Sequence, residues 1–441
     1  GNSNCRLSLP APSPERPFPP APPPPHPPPP PSSACLLRSS PPLPLLPFSA
    51  PPHRLPAAMD GKTEEGDGKK KRQPPPATAT ATAPAATPAA TPAAASSSAA
   101  KSSSTSTSAS SSGYEKAEKK VKDPGDFAKF KGSVAHARVL AFILEVSDSI
   151  HGVGLSSVDA KTAPEPIKRL TEALSTMESW LKEIPPIKQP MRFGNKAFRQ
   201  WHARLVENAV AILKTIIGKE LSEAGAHEEL VPYLTASFGN PTRIDYGTGH
   251  ELNFVALLIC LSEMGLIDPR KDGKAACLVA FQRYIEVMRS IQTLYWLEPA
   301  GSKGVWGLDD YNFLPLLWGA AQHAGRGATA LQTTPPSAIH DAGAKKALAG
   351  DSLYFQAVAF VCKVKSGHLA EHSPMLNDIS GVPSWKKVHS GLVKMYTNEV
   401  LGKFPIIQHF FFGAILSLEP ASSELLAKAA GQKPRKPFGK K

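Results

Sequence analysis

From about Phe127 to Gly413 apolar residues recur at intervals of three and four, with few alternating stretches, and that rhythm favours one kind of architecture. A domain of roughly 285 residues with this pattern is expected to be all-α. The strongest helical candidates are Ser133 to Ile150, Pro166 to Glu183, Asn195 to Leu221, His250 to Met264, Gly273 to Leu297, Asp309 to Gln322, Leu353 to Lys365 and Ser384 to Val400. In the third, Leu205, Ala209, Ile212, Leu213 and Ile216 form a stripe suited to packing on a neighbouring helix. Asn195 and Ser384 stand where helix caps belong. Long polar or glycine-bearing loops separate the helices, notably Phe238 to Gly249, Pro299 to Gly307 and His368 to Pro383. Loops on a helical scaffold are where function concentrates.

The flanks cannot build such a core. Residues 1–58 hold 22 of the 47 prolines and no Met, Asp, Lys, Val, Ile or Tyr. Pro, Ser and Leu are all reached by pyrimidine-rich codons, so the expectation is a translated leader with Met59 as the true start; the rival is a polyproline II arm. Residues 59–126, rich in Ala, Thr, Ser, Pro and Lys, read as a disordered low-complexity tail. Its Lys69-Lys70-Lys71-Arg72 cluster reads as a solvated run ahead of a nuclear-import signal. Residues 414–441 read as a basic tail.

The formal charge of +13 sits almost wholly in these ends: residues 1–125 hold 14 basic and 8 acidic groups, and the last 14 residues hold six basic groups and no acid. The helical span is close to neutral, so a basic groove and a specific nucleic-acid partner are not expected. No run of about 18 apolar residues occurs, and no membrane span is expected. Cys5, Cys35, Cys260, Cys277 and Cys362 make no CxxC pair, which reads as reduced, buried thiols in an intracellular compartment. The expected location is the cytoplasm, with the nucleus as a second compartment.

Common catalytic signatures are missing. His250-Glu251 lacks the second His of a zincin, Gly218-Lys219 and Gly402-Lys403 lack the rest of a P-loop, and Gly247-Thr248-Gly249 has neither a preceding strand nor a third Gly for a dinucleotide fingerprint. No GxSxG elbow is present.

Four segments are unusually dense in glycine, aromatic and ionisable residues: Met191 to His202, Phe238 to Glu251, Gly304 to Tyr311 and Phe404 to Phe410. Together, in this order, they resemble the phosphotyrosyl phosphatase activator family, also called the protein phosphatase 2A activator family. The plant-like segment His372 to Ser380 adds to the resemblance. It covers about Phe127 to Gly413. The resemblance implies an all-α fold, peptidyl-prolyl cis-trans isomerase activity on proline-containing peptides, and a chaperone-like role. In that role the activator, with ATP and Mg²⁺, brings the phosphatase 2A catalytic subunit into its active form. The alternative is a non-catalytic module that clasps the phosphatase. The run Gly325 to Pro336 and the tail after Gly413 depart from the family pattern and leave the local shape there open.

Read from the residues alone, Gly247, Thr248 and Gly249 open the helix that holds Phe254 to Leu261, and backbone N–H groups at a helix start suit a phosphate, with Arg243 as a charged clamp. The structural alternative is a Thr248 cap with Asp245 pairing Arg243. By resemblance Arg243, Thr248 and Gly249 contact ATP, and Gln408 and His409 close the site. Asp309 and Asp310 suit either a helix cap or a hard cation. Asp310 is the magnesium candidate, with the Gly304 carbonyl as second contact by resemblance. Trp201, Trp318 and Trp385 read as core, and Trp306, bracketed by Gly304 and Gly307, as a partner-binding ring. His202 is given no role, and no catalytic residue is named.

Overall fold

A computed structural model describes residues 113–432 apart from 191, 192 and 302. The leader and import-signal readings, most of the low-complexity tail and the end of the basic tail lie outside the described residues. The all-α expectation holds. Among the described residues the strands are β1, Asp245–Tyr246, and β2, Glu298–Pro299, which pair in parallel.

At the centre lies the Thr248–Glu263 helix, buried at every position from 251 to 261. A helix apolar on all sides has no stripe to turn outward and settles inside the bundle. Its neighbours are amphipathic. The Glu165–Glu183 helix buries Ile167, Leu170, Leu174, Met177 and Trp180 on one face, each such side chain contributing about 1.5–3 kcal/mol. The Ala197–Ile217 helix buries Leu205, Ala209, Leu213 and Ile216, with Ile212 at the edge of the stripe. Ser133 Oγ accepts the His136 N–H at 3.2 Å and caps the Val134–Ser149 helix. The indoles of Trp201, Trp318 and Trp385 are buried, and each donates to a backbone carbonyl.

Several boundaries move, each for a physical reason. The helix expected from Asp309 begins at Leu314, because the Asp309 carboxylate is used in a turn, accepting from Asp310 N at 2.8 Å and Asn312 N at 3.0 Å. Ser384 precedes the Trp385–Tyr396 helix, but only its carbonyl serves, receiving Lys387 N and Val388 N. Pro232 hid the Ala226–Ala236 helix, which tolerates the ring inside it. The stretch from His368 to Pro383 holds two short helices, Leu369–His372 and Pro374–Ser380. Wider π-type turns occur at Ala276–Phe281 and Thr397–Leu401.

The packed body also exceeds 127–413. Ala117 and Val121 are buried, Glu118 and Phe412 exchange backbone hydrogen bonds at 2.8 and 3.1 Å, and the Ser423–Ala429 helix lies on the Val134–Ser149 helix. Cys260 and Cys277 are buried as expected, whereas Cys362 is exposed, on the outer side of the Leu353–Val364 helix. No helix of the described residues is long and apolar enough to cross a membrane.

Candidate functional site

The segment 238–249 owes its shape to a closed set of local bonds. Asn240 Oδ1 accepts from Thr242 N at 2.9 Å and Arg243 N at 3.0 Å, while Ile244 N reaches Asn240 O at 2.7 Å. The turn forces Ile244 to a φ of 55°, a left-handed conformation that a β-branched residue rarely takes. Arg199, from the first glycine- and aromatic-rich segment, grips the turn from outside through Pro241 O at 3.0 Å and Thr242 O at 3.1 Å. That segment therefore acts as a buttress. From Asp245 the chain pairs with β2, and Gly247 passes so close that a Cβ there would stand 2.8 Å from Ala300 O.

The central helix then starts at Thr248, its first N–H groups lacking intrahelical acceptors. A cavity of about 1180 Å³ opens there. Arg243, Thr248, Gly249, Trp306, Asp310, Gln408 and His409 all line it; Gly304 is not among the lining residues. Residues as far apart in sequence as Arg243 and His409 thus meet at one place. The side of Gly249 faces Ile406, which would lie 3.3 Å from an added Cβ, so glycine lets the C-terminal segment close over the helix start.

The structural alternative for Arg243 is also realised: its Nε donates to Asp245 Oδ2 at 2.6 Å, with the arginine half exposed. Thr248 makes no cap bond. Burial lowers the His409 pKa, with Lys119 and Arg243 adding to it, and burial pushes the His250 pKa down to about 4, so both rings are neutral near pH 7. His250 Nδ1 meets Ala236 O at 2.6 Å, and His202 Nε2 meets Thr235 O at 3.1 Å as a satisfied interior imidazole.

Beneath the cavity lies a network that sequence reading missed. Glu251 is fully buried, and its carboxylate accepts from Asn312 Nδ2 at 3.0 Å, Phe313 N at 3.0 Å and Leu314 N at 3.1 Å. It caps the start of the Leu314–His323 helix from 61 to 63 residues earlier in the chain. Asn312 also donates to Tyr246 Oη at 3.1 Å, and Tyr246 and Tyr284 hydroxyls meet at 2.9 Å. Burial raises the Glu251 pKa to about 7 against the pull of its hydrogen bonds. Burial raises Asp309 as well.

The opposite wall is looser. Trp306 is 73% exposed. Lys303, just before it, pairs with Glu399, which also faces Lys403 at 3.6 Å, and Asp310 pairs with Lys365 at 2.8 Å. None of Lys303, Lys365, Glu399 or Lys403 carried a signal in the sequence, because these pairs join distant segments or sit on an irregular turn.

Residues 117–418 match the family described as phosphotyrosyl phosphate activator (PTPA) protein. This chain belongs to the PTPA family. It is 39% identical over 305 residues to a Drosophila melanogaster protein named serine/threonine-protein phosphatase 2A activator, covering 69% of this chain and 74% of the relative. A Schizosaccharomyces pombe protein named serine/threonine-protein phosphatase 2A activator 1 is 41% identical over 307 residues, covering 70% and 92%. The crystal structure of the PP2A phosphatase activator Ypa1 superposes with a TM-score of 0.62 at 32% identity, covering 70% of this chain and 96% of that one. Within this PTPA frame the run Gly325 to Pro336 is anchored in its second half while 326–330 stay exposed: Leu331 is buried, its carbonyl meets His323 Nδ1, and Thr334 O accepts from the Trp385 indole at 2.6 Å.

Among the described residues no three His, Cys, Asp or Glu side chains converge as metal ligands. A resident metal centre made by protein side chains alone does not fit the described residues. A magnesium ion carried on phosphate, needing few protein oxygens, does fit.

Proposed function

We propose that this chain activates the protein phosphatase 2A catalytic subunit with the help of ATP and Mg²⁺, and that it carries peptidyl-prolyl cis-trans isomerase activity. The observation that carries the reading is the single cavity lined jointly by the Thr248 helix start, Arg243, Asp310, His409 and the exposed Trp306. Its volume is ample for a nucleotide. Helix-start N–H groups and Arg243 suit the phosphates.

Magnesium on those phosphates would lean on the Asp310 carboxylate and the Gly304 carbonyl, which also accepts Gly307 N at 3.1 Å. Bound there, the ion supplies charge that neutralises and orients the phosphate chain. The rim ring of Trp306 suits a proline or an apolar partner surface. Rotation about an X-Pro bond faces a barrier of about 18–20 kcal/mol, and apolar cavity walls such as Phe313 and Ile406 solvate the dipolar planar amide poorly, which favours the less polar twisted form.

One observation favours the binding-only alternative: Arg243, Lys303 and Lys403 each already face a carboxylate. Reactivation of inactive phosphatase catalytic subunit, with and without ATP and Mg²⁺, separates the two. Dependence on both ligands is expected, together with an about tenfold or greater loss of ATP affinity in Arg243→Ala. Full reactivation without nucleotide, or no ATP binding by the chain alone or with the catalytic subunit, would leave only the clasp. A parallel proline-peptide isomerisation assay at background rate would remove the isomerase.

A further inference from the structure

Lys303 and Lys403 reach the cavity from different parts of the chain, the first from the exposed loop ahead of Trp306 and the second from the turn before the Phe404–Ile407 helix. Both ammonium groups meet one carboxylate, Lys303 at Glu399 Oε2 and Lys403 at Oε1. Around the same cavity Arg243 pairs with Asp245 and Lys365 with Asp310, and Asp309 also lies on the lining. Two cations on one anion leave a positive charge over. Burial lowers the Lys303 pKa, and the nearby Lys403 charge adds to it. Glu399 sits on the π-type stretch Thr397–Leu401, a geometry frequent at functional sites. Lys403 stands three residues before Ile406, the side chain against Gly249, so the cluster borders the helix start that also suits phosphate.

We propose that Lys303 and Lys403 form a clip for an oligophosphate chain, with Glu399 as the resident counter-ion that the ligand displaces. The choice of oligophosphate over other anions rests on the nucleotide reading above. Lysine binds phosphate as a compact point charge, and a chain of several phosphate charges competes well against a single carboxylate wherever cations are in surplus. Until the ligand arrives, Glu399 keeps the two ammonium groups from repelling each other and ties the loop of Trp306 to the C-terminal segment.

The test is isothermal titration of the full chain with tripolyphosphate, ATP and inorganic phosphate, at low and high salt. Relative to the parent, Glu399→Gln should bind tripolyphosphate about threefold to tenfold more tightly, and Lys303→Gln and Lys403→Gln about tenfold more weakly. The salt dependence should shrink in the lysine variants. Both lysines are close to half exposed, so these variants should fold, and they decide the matter even if Glu399→Gln does not fold.

Parent-like tripolyphosphate affinity in both lysine variants, or weaker binding by a folded Glu399→Gln, overturns the clip. If those variants also keep parental ATP binding, the nucleotide reading stands without it. Lysine-dependent binding of tripolyphosphate with no ATP binding leaves the clip and removes the nucleotide. A parent that binds neither, alone or with the phosphatase catalytic subunit, overturns both, and one that binds inorganic phosphate as tightly as tripolyphosphate overturns the preference for a chain.

Discussion

The wall of the cavity that carries Thr248 and Gly249 is anchored from below by buried hydrogen bonds, whereas the wall that carries Lys303 and Trp306 is held by partly exposed ion pairs. The first is preorganised: Glu251, one turn into the central helix, fixes the start of the Leu314 helix and with it the strand-paired segment around Tyr246. The second can rearrange at little cost, because exposed ion pairs contribute only about 0.2–1 kcal/mol each. A site built this way presents a fixed surface to one ligand and an adaptable rim to another.

Removing one anchor from each wall is the sharpest way to break the contrast. Glu251→Ala leaves three buried donors, Asn312 Nδ2, Phe313 N and Leu314 N, without their acceptor, and each orphaned donor costs about 1–3 kcal/mol. The expected loss in urea unfolding is about 3 kcal/mol or more. Lys303→Ala, on the other wall, should lose less than about 1 kcal/mol. Equal losses would mean that the two walls are held alike.

Acid–base behaviour sharpens the same contrast. The Glu251 pKa is raised to about 7 from an ordinary 4.5, with desolvation as the first cause and the neighbouring Asp309 charge adding to it. A carboxyl raised on folding contributes its full share of stability below about pH 4.5 and loses it as pH climbs through 7. The loss is on the order of 3 kcal/mol. His250, His323 and His389, held down at about 4 by burial, act in the opposite sense, losing their contribution as pH falls from 6.5. Subtracting the Glu251→Gln profile from the parent profile between pH 4.5 and 8 isolates the carboxyl. A flat difference would place its pKa at an ordinary value.

Trp306→Ala probes the adaptable rim. With the ring 73% exposed, thermal stability should change by less than about 0.5 kcal/mol, while binding of the phosphatase catalytic subunit should weaken by about 2 kcal/mol or more if the ring is an interface anchor. Tight binding by a destabilised variant would return Trp306 to the core.

The same two walls show what the sequence makes legible. Helices such as Ala197–Ile217 declare themselves because a stripe of Leu205, Ala209, Leu213 and Ile216 is a local, periodic signal. Arg243, Thr248 and Gly249 stand out both as a helix start with a cation beside it and by resemblance, and Gln408 and His409 by resemblance, since their motifs are contiguous in sequence even though the cavity is not. Glu251 gave no signal, because a carboxylate beside His250 reads as a first-turn acid, and its partners lie 61 to 63 residues on. The same distance effect misplaced a helix start: Asp309 looks like a cap, but its carboxylate closes a turn and the true cap comes from Glu251. Glu399 and the two lysines escaped notice for a related reason, as a π-type turn and a loop over 90 residues away meet only in the fold.

The smallest expected effect concerns Asp310, where the rim's ion pairing competes with the cation proposed to lean there. Lys365 Nζ holds its carboxylate at 2.8 Å, with both side chains about one-fifth exposed. An ion pair of up to about 1 kcal/mol corresponds to a change of up to about fivefold in an equilibrium constant. Lys365→Met should therefore lower the magnesium concentration needed for half-maximal phosphatase reactivation by up to about fivefold, and in the presence of ATP added magnesium should raise the melting temperature more than in the parent. Asp310→Ala should shift both readouts the other way while losing only about 1 kcal/mol of stability, since its partner is left near water. The melting shift matters because it reports occupancy without the phosphatase. If magnesium moves the melting temperature equally in the parent and both variants, Asp310 belongs to the ion-paired rim alone and the cation is held wholly by phosphate.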